Sequence, residues 1–233
     1  MLKHSFFVCG HTKGMKTMSI LCAGAMFFSP IKQCVAGNVV SKNVTTEVCV
    51  IAKQNEYDDN IKITATTNQK TITITPTANG GYDPQVKLFN FLNNGLSQIY
   101  YTVNSAGSGG YIYSQIISLE QGRQTTIFDS LQFQTNARLT WQDNKIRIVY
   151  AGQTLYLDAS QNDLTGEKSI YLSPVNVTYP IYTSYNNGYQ LLLLQKVYVD
   201  YAANNVGYLT TLLDFNATQP IASVGVLTNF NPN

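Results

Sequence analysis

Residues 61–75 read Ile61-Lys-Ile-Thr-Ala-Thr66-Thr-Asn-Gln-Lys70-Thr-Ile-Thr-Ile-Thr75. Ile61, Ile63 and Ala65 alternate with Lys62, Thr64 and Thr66, and Ile72 and Ile74 alternate with threonines. A period of two sends successive side chains to opposite faces of an extended chain, and β-branched residues suit a half-buried pleat. Thr67-Asn68-Gln69 supplies the turn between the two runs, and Pro76 ends the second. The stretch predicts an antiparallel hairpin with one apolar face.

The same grammar extends in both directions. Runs at 86–92, 96–103, 111–119, 125–128, 137–141, 145–150, 152–157, 169–172, 175–182, 191–201 and 207–215 are rich in Val, Ile, Leu, Tyr and Thr. Asn, Gly, Pro and Asp separate them, as in Asn93-Asn94-Gly95, Asp143-Asn144 and Asn186-Asn187-Gly188. No window carries a convincing 3.6-residue apolar period, and one helical turn or two is expected near 160–164. About nine to twelve short strands predict an all-β chain folded as an immunoglobulin-like β-sandwich. That domain is placed at 52–215, with 216–233 a partly ordered tail.

The first 37 residues have a different composition. They hold all 4 Met, both His and 3 of the 4 Cys, with 4 of the 15 Lys+Arg and no Asp or Glu. Lys16, the apolar run Met18–Phe28 and the small residues Val35-Ala36-Gly37 have the order of a secretory signal. Cleavage is expected after Ala36 or Gly37, which makes 1–37 the signal. The remaining chain has no His or Met and only Cys49, so no internal disulfide is expected. Its 11 basic and 13 acidic residues leave a net charge of −2, with no basic footprint for nucleic acid.

Absence of His removes the usual Ser-His-Asp and Cys-His nucleophile arrangements. No phosphate-cradling glycine loop and no soft-metal ligand cluster follow from the spacing. Carboxylates at Asp58-Asp59, Asp158 and Asp163 lie among turn residues, where Asp bonds local backbone. The chain is therefore expected to be no enzyme, with no cofactor and no metal. Tyr is abundant at 16 residues. With Trp141 it suits sugar stacking, so a secreted carbohydrate-binding module or tip adhesin is the alternative reading; Tyr111, Tyr113, Tyr182, Tyr185 and Tyr189 lie near loops.

After the expected cut comes Asn38-Val-Val-Ser-Lys-Asn-Val-Thr-Thr-Glu-Val-Cys-Val-Ile51. Val40, Val44, Thr46, Val48 and Val50 share one parity, which predicts an alternating strand over 40–50 within a terminal segment 38–51. A long amphipathic strand at a terminus must be paired with something. The segment Val40-Ser-Lys-Asn-Val-Thr45 resembles the amino-terminal extension of CS1/CFA/I-type major fimbrial subunits of the alternate chaperone–usher pathway. Ala137-Arg-Leu-Thr-Trp141 is similar to that family's mid-chain strand, and Tyr201–Phe215 looks like its final strand. In that strand Leu209, Thr211, Leu213 and Phe215 share a face.

The resemblance implies an incomplete sandwich completed by donor-strand exchange. In that scheme Val40, Val44, Thr46, Val48 and Val50 fill the groove of a neighbouring copy. It further implies a periplasmic chaperone, an outer-membrane usher and a place in a surface fimbrium. A host glycan or receptor would be the adhesive partner.

Overall fold

The computed structural model describes residues 31–53, 56–68, 70–107, 109–160, 168–184 and 188–228. The described residues form sixteen strands, all paired antiparallel, and no α-helix. The all-β sandwich expected from the alternating runs is what the chain adopts. The helical turn expected near 160–164 falls almost entirely outside the described residues, as do the site residues Asp163 and Tyr185.

The first sheet has the order β1 (Ile31–Ser41), β2 (Val44–Ala52), β3 (Lys62–Thr66) and β4 (Thr71–Ile74). The alternating run 61–75 forms its β3–β4 hairpin, with Ile63 opposite Ile74 and both fully buried. The second sheet is β5 (Tyr82–Phe89), β6 (Gln98–Asn104), β7 (Ile112–Ser118) and β8 (Thr125–Asp129). The third is β9 (Arg138–Gln142), β10 (Lys145–Tyr150) and β11 (Gln153–Asp158). In the fourth, β12 (Ile170–Leu172) and β13 (Val177–Thr183) both pair with β14 (Gly188–Val199). Then follow β15 (Asn205–Leu213) and β16 (Ile221–Thr228). Most neighbours are consecutive in sequence, so short turns suffice. At Ala151-Gly152, between β10 and β11, both residues have positive φ, 49° and 74°. That is the two-residue geometry whose twist matches the flanking strands, and Gly adopts it without Cβ strain.

Three apolar clusters join the sheets. Val48, Val50, Ile63 and Ile74 of the first sheet meet Val86, Ile99, Tyr101 and Ile117 of the second. The opposite face of the second sheet, with Tyr100, Ile116 and Phe128, packs on Leu191, Leu193 and Leu213 of the fourth. Thus β6 is buried on both faces, which is why Ile99, Tyr100 and Tyr101 stand in succession rather than alternating with polar residues. The third sheet contributes Ile146, Ile148 and Leu157 against Val197, Val199 and Leu209, farther along the same face of the fourth. Gln195 sits where the two cores meet. It accepts from Thr135 Oγ1 at 2.7 Å and donates to the Ser173 carbonyl at 2.9 Å, so the buried amide is satisfied.

In the chain before any cleavage, three segments differ from the sequence expectations. Residues 31–37, assigned to the signal, form the first part of β1. Residues 221–228, assigned to a tail, form β16, because Ile221, Val224 and Val226 pack against the core beneath β15. Cys34 and Cys49 face each other across β1 and β2 and are joined in a disulfide, which overturns the expectation of none.

Candidate functional site

The residues expected to form a donated strand do not make one strand. Lys42-Asn43 is a two-residue turn, with Ser41 opposite Val44, so 40–50 spans the end of β1 and most of β2. Asn38 closes the hairpin by donating its side-chain amide to the Lys42 carbonyl at 2.8 Å. The alternation on each side of the turn is real, and Asn43, polar like the solvent-facing positions, hides the break.

Val48, Val50 and Thr46 are buried beneath their own sheet, whereas Val44 and Val40 are half-buried near the turn. β2 pairs with β1 on one edge and β3 on the other. Thr46 Oγ1 finds no hydrogen-bond partner, the cost of an alternating position filled by a hydroxyl rather than a methyl group. Thr45 and Glu47 face outward, and Glu47 lies 3.8 Å from Lys32 in an exposed ion pair of small energetic weight.

β1 has a different situation. Among the described residues it is the edge of the first sheet, and β2 is the strand that pairs with it. Its inward positions are Gln33, Val35, Gly37 and Val39, of which Val39 is fully buried. Gly37 lies so close to the Leu88 side chain that an added Cβ would stand 2.7 Å from it. Ser97 donates its amide to the Asn38 carbonyl at 2.9 Å, tying the strand to the second sheet. A groove lined by Gln33, Val50, Ala52, Lys53 and Pro84 opens beside its first residues. The Cys34–Cys49 bond lies on the outer face, with Cys34 exposed and Cys49 covered. Sequence reasoning missed β1 because it ended the signal inside the strand; the Cys34 to Cys49 spacing was the available clue.

The expected lining of the final strand is brought together. Leu209, Thr211 and Leu213 lie buried on one face of β15, and Phe215 follows, half-buried, in edge contact with Phe91 at 5.8 Å between centroids. This strand is flanked by β14 and β16, so it presents no edge. Leu209 belongs to the core with the third sheet and Leu213 to the core with the second.

Two of the expected carboxylates serve turns. Asp58 accepts from the amides of Lys53 and Asn60 at 2.9 Å each. Asp158 accepts from Ser160, and that bond holds its carboxyl below the usual range. Tyr111 and Tyr113 stack with centroids 6.5 Å apart, and Tyr189 packs among Phe89, Phe91 and Tyr182. Burial pushes the Tyr111 hydroxyl up. Cys34, Glu47 and Cys49 place a donor atom each within 4.8 Å of one another, but the two sulfurs are used in the disulfide.

No family model matches the chain, and no solved structure matches it. The chain is similar to the uncharacterized protein YybI of Bacillus subtilis (strain 168), 25% identical over 157 residues. The matched stretch covers 59% of this chain and 60% of that relative, so the chain spans less than two thirds of the relative's length.

Proposed function

We propose that the chain is a non-catalytic structural subunit of an exported surface fibre, and that copies join by exchanging β1. The observation that carries this reading is the position of β1, which among the described residues is an edge strand paired with β2 and packs Val35 and Val39 on the first core. Donation of residues 40–50 would strip β2 from two ladders. Withdrawal of β1 breaks one ladder and uncovers Val48 and Val50. The β1 of another copy would restore the same backbone bonds and refill the positions of Val35 and Val39. Exchange breaks and re-forms the same ladder and the same packing, so the balance rests on opening the Lys42-Asn43 turn; because the Cys34–Cys49 bond would hold β1 in its own chain, exchange requires open thiols, and the bond then closes between copies. Each copy gives one strand and receives one, so the contact is head-to-tail and propagates. The disulfide accords with export to an oxidising compartment. A chaperone and an usher, as the CS1/CFA/I-type resemblance implies, would shield the open edge until assembly. A second reading, a carbohydrate-binding module, is favoured by the exposed rings of Tyr171, Tyr179 and Tyr182.

The disulfide provides the test. Cys34→Ala and Cys49→Ala chains are co-expressed with the export route intact, and the exported protein is run on a non-reducing gel. Exchange places Cys34 of one chain on Cys49 of the other, giving a reducible hetero-dimer absent from either variant alone. Free thiols on unlinked chains in the mixture would defeat strand exchange.

A further inference from the structure

Among the described residues, apolar clusters cover one face of the fourth sheet. Its covered face carries Leu191, Leu193, Val197, Val199, Leu209 and Leu213. The alternate residues point the other way, and Leu192, Leu194, Tyr208, Thr210 and Leu212 there are half-buried rather than buried. The rows they form are in register across the sheet. Tyr179 lies opposite Leu192, which lies opposite Leu212, and Val177 is followed likewise by Leu194 and Thr210. Tyr208 lies opposite Leu227, and Tyr171 stacks on Tyr198 with centroids 5.4 Å apart. Tyr171, Tyr179 and Leu227 are 45%, 47% and 51% exposed. An antiparallel sheet with one solvated face ordinarily shows polar side chains there. This one shows leucine and tyrosine.

We propose that this open face is a docking surface for a second copy of the chain, separate from the exchange of β1. Charge argues for a copy of itself. Among the described residues of the face Lys196 and Asp214 are charged; the Lys196 amine donates to the Gly109 carbonyl at 2.9 Å, and buried Asp214 accepts from Gln190 at 3.1 Å, so the face carries no net charge. A neutral face meets its own copy about a two-fold axis without like-charge repulsion, and offers a charged partner no ion pair. Area argues the same way. Four strands at about 4.8 Å spacing and seven residues at about 3.3 Å rise give a footprint near 19 Å by 23 Å, roughly 440 Å². Two such faces bury about 900 Å², at the small end of interfaces and in keeping with a weak, reversible dimer, and aromatic residues are enriched in interface centres. Face-to-face packing would set the two sheets about 10 Å apart with leucines interdigitated, as in a sandwich.

The experiment is sedimentation equilibrium of the purified exported chain over a concentration series. The wild-type chain is expected to dimerise with half-association at roughly 10–100 µM, the range for an interface at the small end of its class. Tyr179→Lys at the rim and Leu192→Lys at the centre should each weaken it by at least about tenfold. Thr45→Lys, on the polar face of the first sheet, should leave it unchanged. Circular dichroism confirms that each variant is folded, and Tyr179, already exposed, tolerates the change even where Leu192 does not. A wild-type chain that stays monomeric at every concentration overturns the proposal. So does a dimer that both Lys variants leave intact. Retention of a monomeric wild-type chain on a glycan matrix, lost in Tyr179→Lys, would assign the face to sugar instead. The outcome is independent of the Cys34–Cys49 exchange assay, because face docking is reversible on dilution and needs no thiol.

Discussion

Tyr100 shows how one hydroxyl ties two sheets together. Its ring fills the core between the second and fourth sheets. Its hydroxyl donates to the Thr178 carbonyl at 2.9 Å and lies 2.7 Å from Thr178 Oγ1, which in turn donates to Ser114 Oγ at 2.8 Å. Burial pushes the Tyr100 hydroxyl up to about 12, against a lowering by the Thr178 bond. A phenol whose ionisation is raised in the folded chain stabilises that chain fully below its ordinary value near 10. As pH rises from 10 toward 12 the unfolded chain ionises first, and that contribution is lost, in total roughly 2–3 kcal/mol. Burial and the charge of Asp58 push Tyr101 in the same direction. Tyr100→Phe is therefore expected to cost about 1 kcal/mol at pH 8, for the lost hydrogen bond. It should also flatten the decline above pH 10. Urea midpoints measured from pH 8 to 12 check both parts, and parallel curves for the two chains would refute the assignment.

At the scale of elements, alternation was legible and its interruptions were not. β3 and β4 were read directly, because Ile63 and Ile74 face one core and threonines face water. β6 was located but not its role, since Ile99 and Tyr101 serve one core and Tyr100 another. The β1–β2 turn escaped because Lys42-Asn43 carries no Gly or Pro and Asn43 continues the outward pattern of Ser41 and Thr45; Lys42, a charge at the parity of Val40 and Val44, was the one sign of the break. β16 escaped because its burial depends on the third sheet, a partner remote in sequence. Placement of Val48 in its own core changes what a substitution there reports. Val48→Asp buries an unpaired carboxylate beneath the first sheet and should destabilise the fold by more than about 3 kcal/mol. Thr45→Asp, on the exposed face, should stay within about 0.5 kcal/mol of the wild type. Denaturant titration of both variants checks this. Equal midpoints would show that β2 is not seated as described. Loss of fibres in Val48→Asp then reports a folding defect as readily as lost donation, which is why the thiol assay carries the test of exchange.

For the whole molecule, the amino-terminal boundary decides what the first sheet is. A cut after Ala36 or Gly37 would remove Cys34, Val35 and Lys32, and with them the disulfide and most of the register of β1. β2 would become an edge, and Val48 and Val50 would lose the strand beside them. A cut before Ile31 keeps β1 whole. In the chain-entropy account a cross-link closing a loop of about 15 residues contributes up to about 3 kcal/mol. The ladder holds β1 in the folded chain and the cross-link restrains the unfolded one, so the disulfide adds to β1 pairing rather than replacing it. The exported chain before assembly is accordingly expected to retain residues 31–36, with a mass about 2 Da below that of its reduced form, the two hydrogens lost in forming one disulfide, whereas exchanged copies release single chains only on reduction. Intact-mass spectrometry before and after reduction measures terminus and bond together. On reduction the denaturant midpoint should fall, and Cys49→Ala should match the reduced wild type rather than add to it. A terminus at Gly37 or Asn38 would remove β1 as the exchanged strand, leaving β2 as the new edge and returning residues 40–50 to the donor role that the fimbrial resemblance implies.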